Sequence, residues 1–171
     1  TSYGDISSAD YNNCVVQVKG NCTIANSYIS NCTSPVRVIN GNVDINNTEF
    51  SSNLLTGSAL YYGNSGTGSI TNSVFVNNTA TNDVRNINIG DISKVTLSEN
   101  TFDVNLTYNV TNSIYGSLAY IKGNFDAGVN FDIDNVKLII NDTAKINSTV
   151  TIDGINHNFS FNITGKLAAG T

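Results

Sequence analysis

Charged residues are scarce in this chain, and so are several residue types common in helical proteins. Only 12% of its 171 residues are charged, and it contains one proline, no methionine and no tryptophan. Its eight Lys and Arg residues form no basic run, and the net charge is −5. Binding to nucleic acid needs clustered cations that displace phosphate counterions. The charge pattern therefore argues against nucleic acids and anionic membrane surfaces as partners.

The chain also lacks a long apolar run and a cluster of metal ligands. No stretch approaches the ~18 apolar residues of a membrane-spanning helix, so no membrane span is expected. There is one His, and the three Cys residues all lie in the first fifth of the sequence. A zinc site has little support because it needs about four Cys or His ligands at suitable spacing. No metal, cofactor-binding or catalytic site is predicted.

The residues that are abundant favour an all-β protein. Hydrophobic residues make up 40% of the chain, and β-branched Val, Ile and Thr recur throughout it. Asn, Ser and Thr together fill more than a third of the positions, and there are 14 Gly residues. This composition is typical of many short strands separated by Asn and Gly turns.

An internal repeat occupies the first hundred residues. Its anchor is an aliphatic residue followed five positions later by a second apolar residue, and the anchors Ile24, Ile45, Ile70 and Leu97 lie 21, 25 and 27 residues apart. A second short β-rich run precedes each copy. A unit of this size that carries two strands is typical of one coil of a parallel β-helix, in which each coil buries its apolar residues on its neighbours. We predict a short right-handed parallel β-helix of about four coils over residues 1–104.

Two residue types have specific interpretations within such coils. Asn tolerates left-handed backbone at corners, so Asn26, Asn47 and Asn72 are candidates for a ladder of stacked amides; the alternative is that Asn is simply abundant. Cys14 and Cys32 are 18 residues apart, close to one coil, and would form a disulfide bridge between adjacent layers. The alternative for these cysteines is burial as free thiols.

A different β pattern follows over residues 105–171. Strands are expected to begin near six apolar or aromatic positions, with turns at Asn141-Asp142 and Asp153-Gly154 among others; these starts are Leu106, Leu118, Val129, Val136, Val150 and His157. The number of strands predicts a small β-sandwich. The closing Ala-Ala-Gly-Thr is a turn, so the sandwich is expected to lack its last strand. Two explanations are open: the chain was cut before that strand, or another chain donates the strand.

Both halves resemble the adhesin-like surface proteins of methanogenic archaea, which combine parallel β-helix repeats with Ig-like repeats. The resemblance is carried by the phrase ITNSVFVNNTA from Ile70, by the Tyr115-Gly116 and Asp153-Gly154 turns, and by the ITGKLAAGT ending. It implies a secreted cell-surface protein that attaches cells to a surface, a partner cell or a glycan. It also implies that copies of itself or other surface proteins are partners.

Ten Asn-X-Ser/Thr sequons would carry glycans in an exported chain. Positions within the repeat at Asn46 and Asn77 are the weaker candidates, and the other eight are Asn21, Asn31, Asn105, Asn109, Asn141, Asn147, Asn158 and Asn162. Tyr residues would stack on sugars if exposed, and the candidates are Tyr61, Tyr62, Tyr115 and Tyr120.

The sequence patterns and the resemblance together leave three functions to consider, and the first is favoured. The chain is a non-enzymatic adhesion module, or a subunit of an extracellular filament whose Ig-like domain is completed by a neighbour's strand, or a glycan-cleaving β-helix enzyme. An enzyme would need clustered carboxylates on one face, whereas acids such as Asp44 and Asp91 share no place in the repeat. His157, the single His, is expected at a turn or strand edge.

Overall fold

A computed structural model describes the backbone of residues 14–81, 84–110, 120–133, 135–140, 143–149, 151–153 and 156–162. Side chains are described for residues 16–81, 84–110, 120–133 and 157–161. The chain divides into two compact units. The first comprises Thr1–Asp103 with Ala127–Phe131, and the second comprises Val104–Asp126 with Asp132–Thr171.

The first unit is a stack of parallel strands. Its strands are β1 (Cys14–Val18), β2 (Cys22–Ala25), β3 (Tyr28–Ser30), β4 (Ser34–Asn46), β5 (Glu49–Ser51), β6 (Leu54–Leu55), β7 (Leu60–Thr71), β8 (Val74–Val76), β9 (Thr79–Ala80), β10 (Ile87–Ile89), β11 (Val95–Ser98) and β12 (Thr101–Phe102). A short 3-10 turn spans Ile92–Lys94. One sheet has the order β1-β4-β7-β10, with β2 on β4 and β11 on β7; a second has the order β12-β8-β5-β3, and β6 pairs with β9.

The strand register confirms the predicted parallel β-helix. Ile24 lies opposite Ile45, and Ile45 lies opposite Ile70, which in turn lies opposite Leu97. Every anchor of the repeat therefore stacks on the anchor of the next coil. The predicted number of about four coils is too high, because the solenoid has about three turns: four equivalent strands are separated by three complete turns. The handedness stays a prediction.

Aromatic residues form one continuous column inside the coils. The second apolar position of the repeat places Phe50 and Phe75 at 0% exposure. Their rings stack with a centroid separation of 4.9 Å, and Phe75 stacks on Phe102 at 5.3 Å. Parallel strands are spaced by roughly 4.7–4.9 Å, so in-register stacking brings equivalent rings into contact without further adjustment.

A second column inside the coils consists of buried asparagines. Asn53, Asn78 and Asn86 are at most 2% exposed. The Asn53 amide donates to Asn78 Oδ1 at 2.9 Å, and the Asn78 amide donates to Asn86 Oδ1 at 3.0 Å and to the Phe50 carbonyl at 3.0 Å. The column ends at Cys32, whose backbone N–H donates to Asn53 Oδ1. These amides satisfy backbone groups that the core would otherwise leave unpaired.

The second unit is made of antiparallel strands. They are β13 (Asn105–Val110), β14 (Tyr120–Asp126), β15 (Asn135–Ile140), β16 (Thr143–Thr149), β17 (Thr151–Asp153) and β18 (Asn156–Asn162). One sheet has the order β13-β14-β18-β17, and β15 pairs with β16 in a hairpin. The all-β class is confirmed for this half, with four antiparallel strands and a hairpin as its described content.

Two details of the second half differ from the sequence-based expectation. Val129 does not begin a strand of this unit; it forms a parallel bridge with Ile87 and belongs to the first unit. His157 is not at a turn or edge, because β18 pairs with both β14 and β17 and the imidazole is fully buried. The ring stacks on Phe125 at 4.7 Å, and neither ring nitrogen has a hydrogen-bond partner.

Candidate binding surface

One corner of the solenoid is built from asparagines in the left-handed region. Asn26, Asn47 and Asn72 have φ values of 51°, 47° and 48°, and Glu99 takes the equivalent place in the last coil at 56°. Asn adopts this conformation more readily than most residues, because its short polar side chain bonds locally. The predicted corner positions are confirmed, and one step of the predicted amide ladder is formed, since the Asn47 amide donates to Asn26 Oδ1 at 2.8 Å.

The residue after each corner asparagine locks the turn. The hydroxyls of Ser27, Thr48 and Ser73 each donate to the carbonyl two residues back, at 2.9, 3.1 and 2.9 Å. Ser73 Oγ also accepts from the Thr48 backbone N–H of the neighbouring coil, at 3.3 Å. Repetition of these bonds holds successive corners in register.

An open groove runs along this corner, and we call it the corner groove. Its lining comprises a row of corner asparagines, Asn26, Asn47 and Asn72, together with Tyr28, Glu49 and Val74 from the strands that follow the corner, and Ser27 and Thr48. Its volume is about 290 Å³. Tyr28 is opposite Glu49 in the strand register, and Glu49 is opposite Val74. The groove therefore crosses three coils.

Tyr28 supplies the aromatic side chain of the corner groove. It is 66% exposed, and its Oη accepts a hydrogen bond from Ser51 Oγ at 2.8 Å. The bond anchors the far end of the ring while leaving much of its surface open to solvent. The corner groove thus combines an accessible aromatic surface with exposed amides.

A flat strand face of short polar side chains adjoins the corner. Asp44 is opposite Ser69, which is opposite Thr96, along β4, β7 and β11. Ser69 Oγ donates to Asp44 at 2.8 Å, the Asn42 amide donates to the same carboxylate at 3.1 Å, and Thr67 donates to Asn42 at 3.2 Å. This face presents hydroxyl, amide and carboxylate groups in repeated columns.

The predicted glycosylation sites are only partly described. Five candidate asparagines are exposed, namely Asn21, Asn31, Asn105, Asn109 and Asn158. Asn141 and the side chains of Asn147 and Asn162 lie outside the described residues. Asn21 Oδ1 accepts from the backbone N–H of Asn42, so it helps to join two coils. Glycan attachment stays a prediction at all eight positions.

The cysteine side chains are described only at Cys22 and Cys32, and both are free. Cys32 donates to the Ser30 carbonyl at 3.1 Å, and burial raises the pKa of its thiol. The strand register places Cys14 opposite Ser34, two residues from Cys32. Because the side chain of Cys14 lies outside the described residues, the bridge between Cys14 and Cys32 stays a prediction that this structure does not display.

Among the tyrosines proposed as sugar platforms, those that the structure describes are buried or half-buried. Tyr62 is fully buried and donates to the Val43 carbonyl at 2.7 Å, so it is excluded from that role. Tyr61 is half-buried beneath the Arg37 guanidinium, at 4.4 Å from its ring centroid. Tyr120 is half-buried, and Tyr115 lies outside the described residues. Strand alternation at Tyr28 was the signal that could have placed its side chain outward.

The two acids named for a glycan-cleaving enzyme occupy different places in the coil. Asp44 lies on the flat strand face, whereas Asp91 precedes the 3-10 turn and accepts from Ser93 and Lys94. Hydrogen bonds from the Ser93 side chain, together with Lys94, hold the pKa of the Asp91 carboxyl below its ordinary value. Asp91 therefore acts as a local cap. Among the described residues, no three or more His, Cys, Asp or Glu side chains are grouped to hold a metal ion.

Comparisons with protein families, with curated proteins and with solved structures returned no significant match. No helix in the described part of the chain has the length and apolar character needed to cross a membrane.

Proposed function

We propose that the chain is a non-enzymatic adhesion module of an extracellular surface protein. The single observation that supports this is the repeated polar array on the solenoid, where corner asparagines and strand-face hydroxyls recur coil after coil. A rigid array of weak binding groups suits attachment to an extended surface, because many simultaneous contacts raise the overall avidity. The resemblance to archaeal adhesin-like proteins and the Ig-like assignment of the second unit belong to this proposal.

Adhesion is testable with beads that carry the folded chain. We expect these beads to bind cell envelopes from the organism that encodes the chain, whereas beads carrying the same chain unfolded stay free. Binding no higher than that of bare beads would contradict the proposal. Release of soluble sugars from the envelopes, abolished by Asp44→Ala, would instead favour a glycan-cleaving enzyme.

One feature of the second unit favours a filament subunit as a second candidate. All six residues of β13 are exposed, and within the described residues this strand pairs with β14 alone. Leu106, Tyr108 and Val110 alternate on the face shared by the buried Phe125, and they are 53%, 66% and 45% exposed. An exposed edge strand with an apolar row is a template for another strand.

Assembly through β13 is testable by placing a charge on the apolar row. Tyr108→Lys would block strand addition at little cost to the fold, because the side chain is largely exposed. Asn109→Lys is the matched control, since alternation directs residue 109 to the opposite face. We expect concentration-dependent oligomers in sedimentation experiments with the native chain and the control. Oligomers of equal size in Tyr108→Lys would argue against this edge as the interface.

A further inference from the structure

The corner groove has an axis set by the coil stack. Its row of asparagines, Asn26, Asn47 and Asn72, repeats once per coil, and parallel strands are spaced by roughly 4.7–4.9 Å. Three coils therefore present equivalent groups over about 10 Å along the stack. A ligand that matches this arrangement is itself a linear repeat that lies parallel to the stack, with one unit near each coil.

The exposed amides supply both kinds of hydrogen-bonding group. Asn47 donates through its amide nitrogen to Asn26 Oδ1, which directs the Asn26 amide nitrogen and the Asn47 carbonyl oxygen toward other partners. An amide side chain has two donors and an acceptor with two lone pairs. Sugar hydroxyls donate and accept in the same way, so a carbohydrate satisfies both free groups. A purely apolar ligand would leave them unpaired.

The Tyr28 ring supplies the apolar contact. The face of an aromatic ring carries partial negative charge, and the C–H groups on one face of a pyranose carry partial positive charge. The ring is 66% exposed and anchored through Ser51, so stacking requires little reordering of the protein. A preorganised platform reduces the entropy lost on binding.

The charge of the corner groove separates classes of polysaccharide. Glu49 is the single charged residue among the described residues that line it, and Asp44 lies on the adjoining strand face. Carboxylates that face one another without a cation repel, so a polyuronate is disfavoured. The volume of about 290 Å³ is near the lower end of small-molecule pockets, which fits a short stretch of an extended chain rather than a bulky branched ligand.

The geometry points to a neutral, unbranched polysaccharide that lies along the corner groove parallel to the coil stack. Pyranose rings stack on Tyr28, and the amides of Asn26 and Asn47 bond their hydroxyls. This inference rests on the proposed adhesive function and names the ligand class for it. Glu49 accepts hydrogen bonds from sugar hydroxyls within the same stretch.

Native electrophoresis in gels that contain a soluble polysaccharide tests the inference with the full chain. We expect retardation by a neutral unbranched glucan or mannan and none by a polyuronate. Tyr28→Ala and Asn47→Gly should each weaken binding at least ten-fold. Asn47→Gly removes the amide while keeping a residue that readily adopts the left-handed backbone.

Two matched variants separate binding from folding. Tyr28→Phe keeps the ring and should retain binding, and Asn77→Gly changes a left-handed asparagine with φ of 53° at a different corner. Thermal melting of every variant checks that the fold persists. Retained binding in Tyr28→Ala and Asn47→Gly, stronger binding of the polyuronate, or no binding of any neutral polysaccharide would each overturn the inference.

The adhesion assay distinguishes failure of this inference from failure of the proposed function. If the beads adhere to envelopes and Tyr28→Ala beads adhere equally well, adhesion stands and the corner groove is not its site. If neutral polysaccharides bind in the gel but the beads do not adhere, the ligand class stands and the adhesive function fails.

Discussion

A single residue type, asparagine, has two structural roles in this protein, and the backbone decides between them. At the outer corner, Asn47 has φ of 47° and is exposed to solvent. Inside the coils, Asn78 is 2% exposed and exchanges hydrogen bonds with the neighbouring coils. A buried amide without partners would destabilise the fold, since each unsatisfied group costs about 1–3 kcal/mol. The interior column is therefore the more sensitive one to substitution.

Asn78→Ala should lower the free energy of unfolding by about 3 kcal/mol. The substitution removes the acceptor for Asn53 and the donor to Asn86 and Phe50, and it leaves those groups buried without partners. Urea unfolding measures the change. Asn46→Ala is the matched control, because Asn46 is exposed and surface substitutions usually change stability by less than about 0.5 kcal/mol. If Asn78→Ala loses no more stability than Asn46→Ala, the hydrogen bonds of the buried column contribute no more than an exposed side chain.

Tyr62 should make the fold sensitive to alkaline pH. Burial raises the pKa of Tyr62 above its ordinary value of about 10, and Asp44 and Cys22 raise it further. The phenol is neutral in both the folded and the unfolded chain below about pH 10, so its ionisation does not affect the free energy of unfolding in that range. As the pH rises above 10, the unfolded chain loses this proton while the folded chain keeps it. Stability should then fall by up to about 1.4 kcal/mol per pH unit.

Urea unfolding between pH 8 and pH 11.5 measures this dependence, with Tyr62→Phe as the comparison. The variant loses the hydrogen bond to the Val43 carbonyl, which should lower the free energy of unfolding by about 1 kcal/mol at neutral pH. It should also show a flatter decline above pH 10. An unchanged slope in Tyr62→Phe would assign the alkaline loss to other groups.

The coil is the element that the sequence describes best. Apolar anchors at Ile24, Ile45, Ile70 and Leu97 predicted the parallel register because burial requires equivalent residues to stack. The corner asparagines were predictable for a related reason, since few residues adopt left-handed backbone readily. The buried asparagine column was not predictable. Asn is abundant everywhere in this chain, and Asn86 joins the column only eight residues after Asn78, which breaks the spacing of the repeat.

The candidate site was predictable only in part. Its row of Asn26, Asn47 and Asn72 was anticipated from the corners, whereas Tyr28 was overlooked in favour of other tyrosines, of which those described are buried or half-buried. Exposure of an aromatic residue depends on strand phase, and a shift of one residue reverses which face it occupies. At Tyr28 the neighbouring apolar repeat position, Ile29, sets that phase, so strand alternation predicts an outward Tyr28 side chain, but the sequence prediction did not apply it.

The phenylalanine column makes the coils interdependent. Phe75 is fully buried between Phe50 and Phe102, whereas Phe102 is half-buried and ends the described column. Phe75→Ala should therefore cost about 3–5 kcal/mol, the range for phenylalanine truncation in a core. Phe102→Ala should cost clearly less, because solvent can enter the space it leaves. Chemical denaturation of both variants gives the comparison, and a larger loss for Phe102→Ala would mean that the column is not centred on Phe75.

At the scale of the whole chain, sequence order and structural unit diverge at residues 127–131. This segment lies in the second half of the sequence but packs with the first unit. The Asn86 backbone N–H donates to the Gly128 carbonyl at 2.7 Å, and its amide donates to the Ala127 carbonyl at 2.8 Å. Residues 41 apart that bond to each other leave no recognisable pattern in the local sequence. Val129 was therefore predicted as a strand of the second unit.

Asn130 tests whether this returning segment stabilises the last coil. Its Oδ1 accepts from the Ile89 backbone N–H at 2.8 Å, and its amide donates to the Ile89 carbonyl at 2.9 Å. Asn130→Ala removes both bonds, so amide hydrogen exchange should accelerate at Ile87–Ile89 by about ten-fold or more, as expected for a loss of at least about 1.4 kcal/mol in local opening.

Asn158→Ala is the control for this experiment, because Asn158 is an exposed residue of the second unit. It should leave exchange at Ile87–Ile89 unchanged. The distinction is sharp because Asn130 and Asn158 both follow the solenoid in the sequence, yet only Asn130 bonds to β10. If exchange at β10 is the same in native protein and Asn130→Ala, the returning segment covers the coil without stabilising it, and β10 owes its protection to β7 alone.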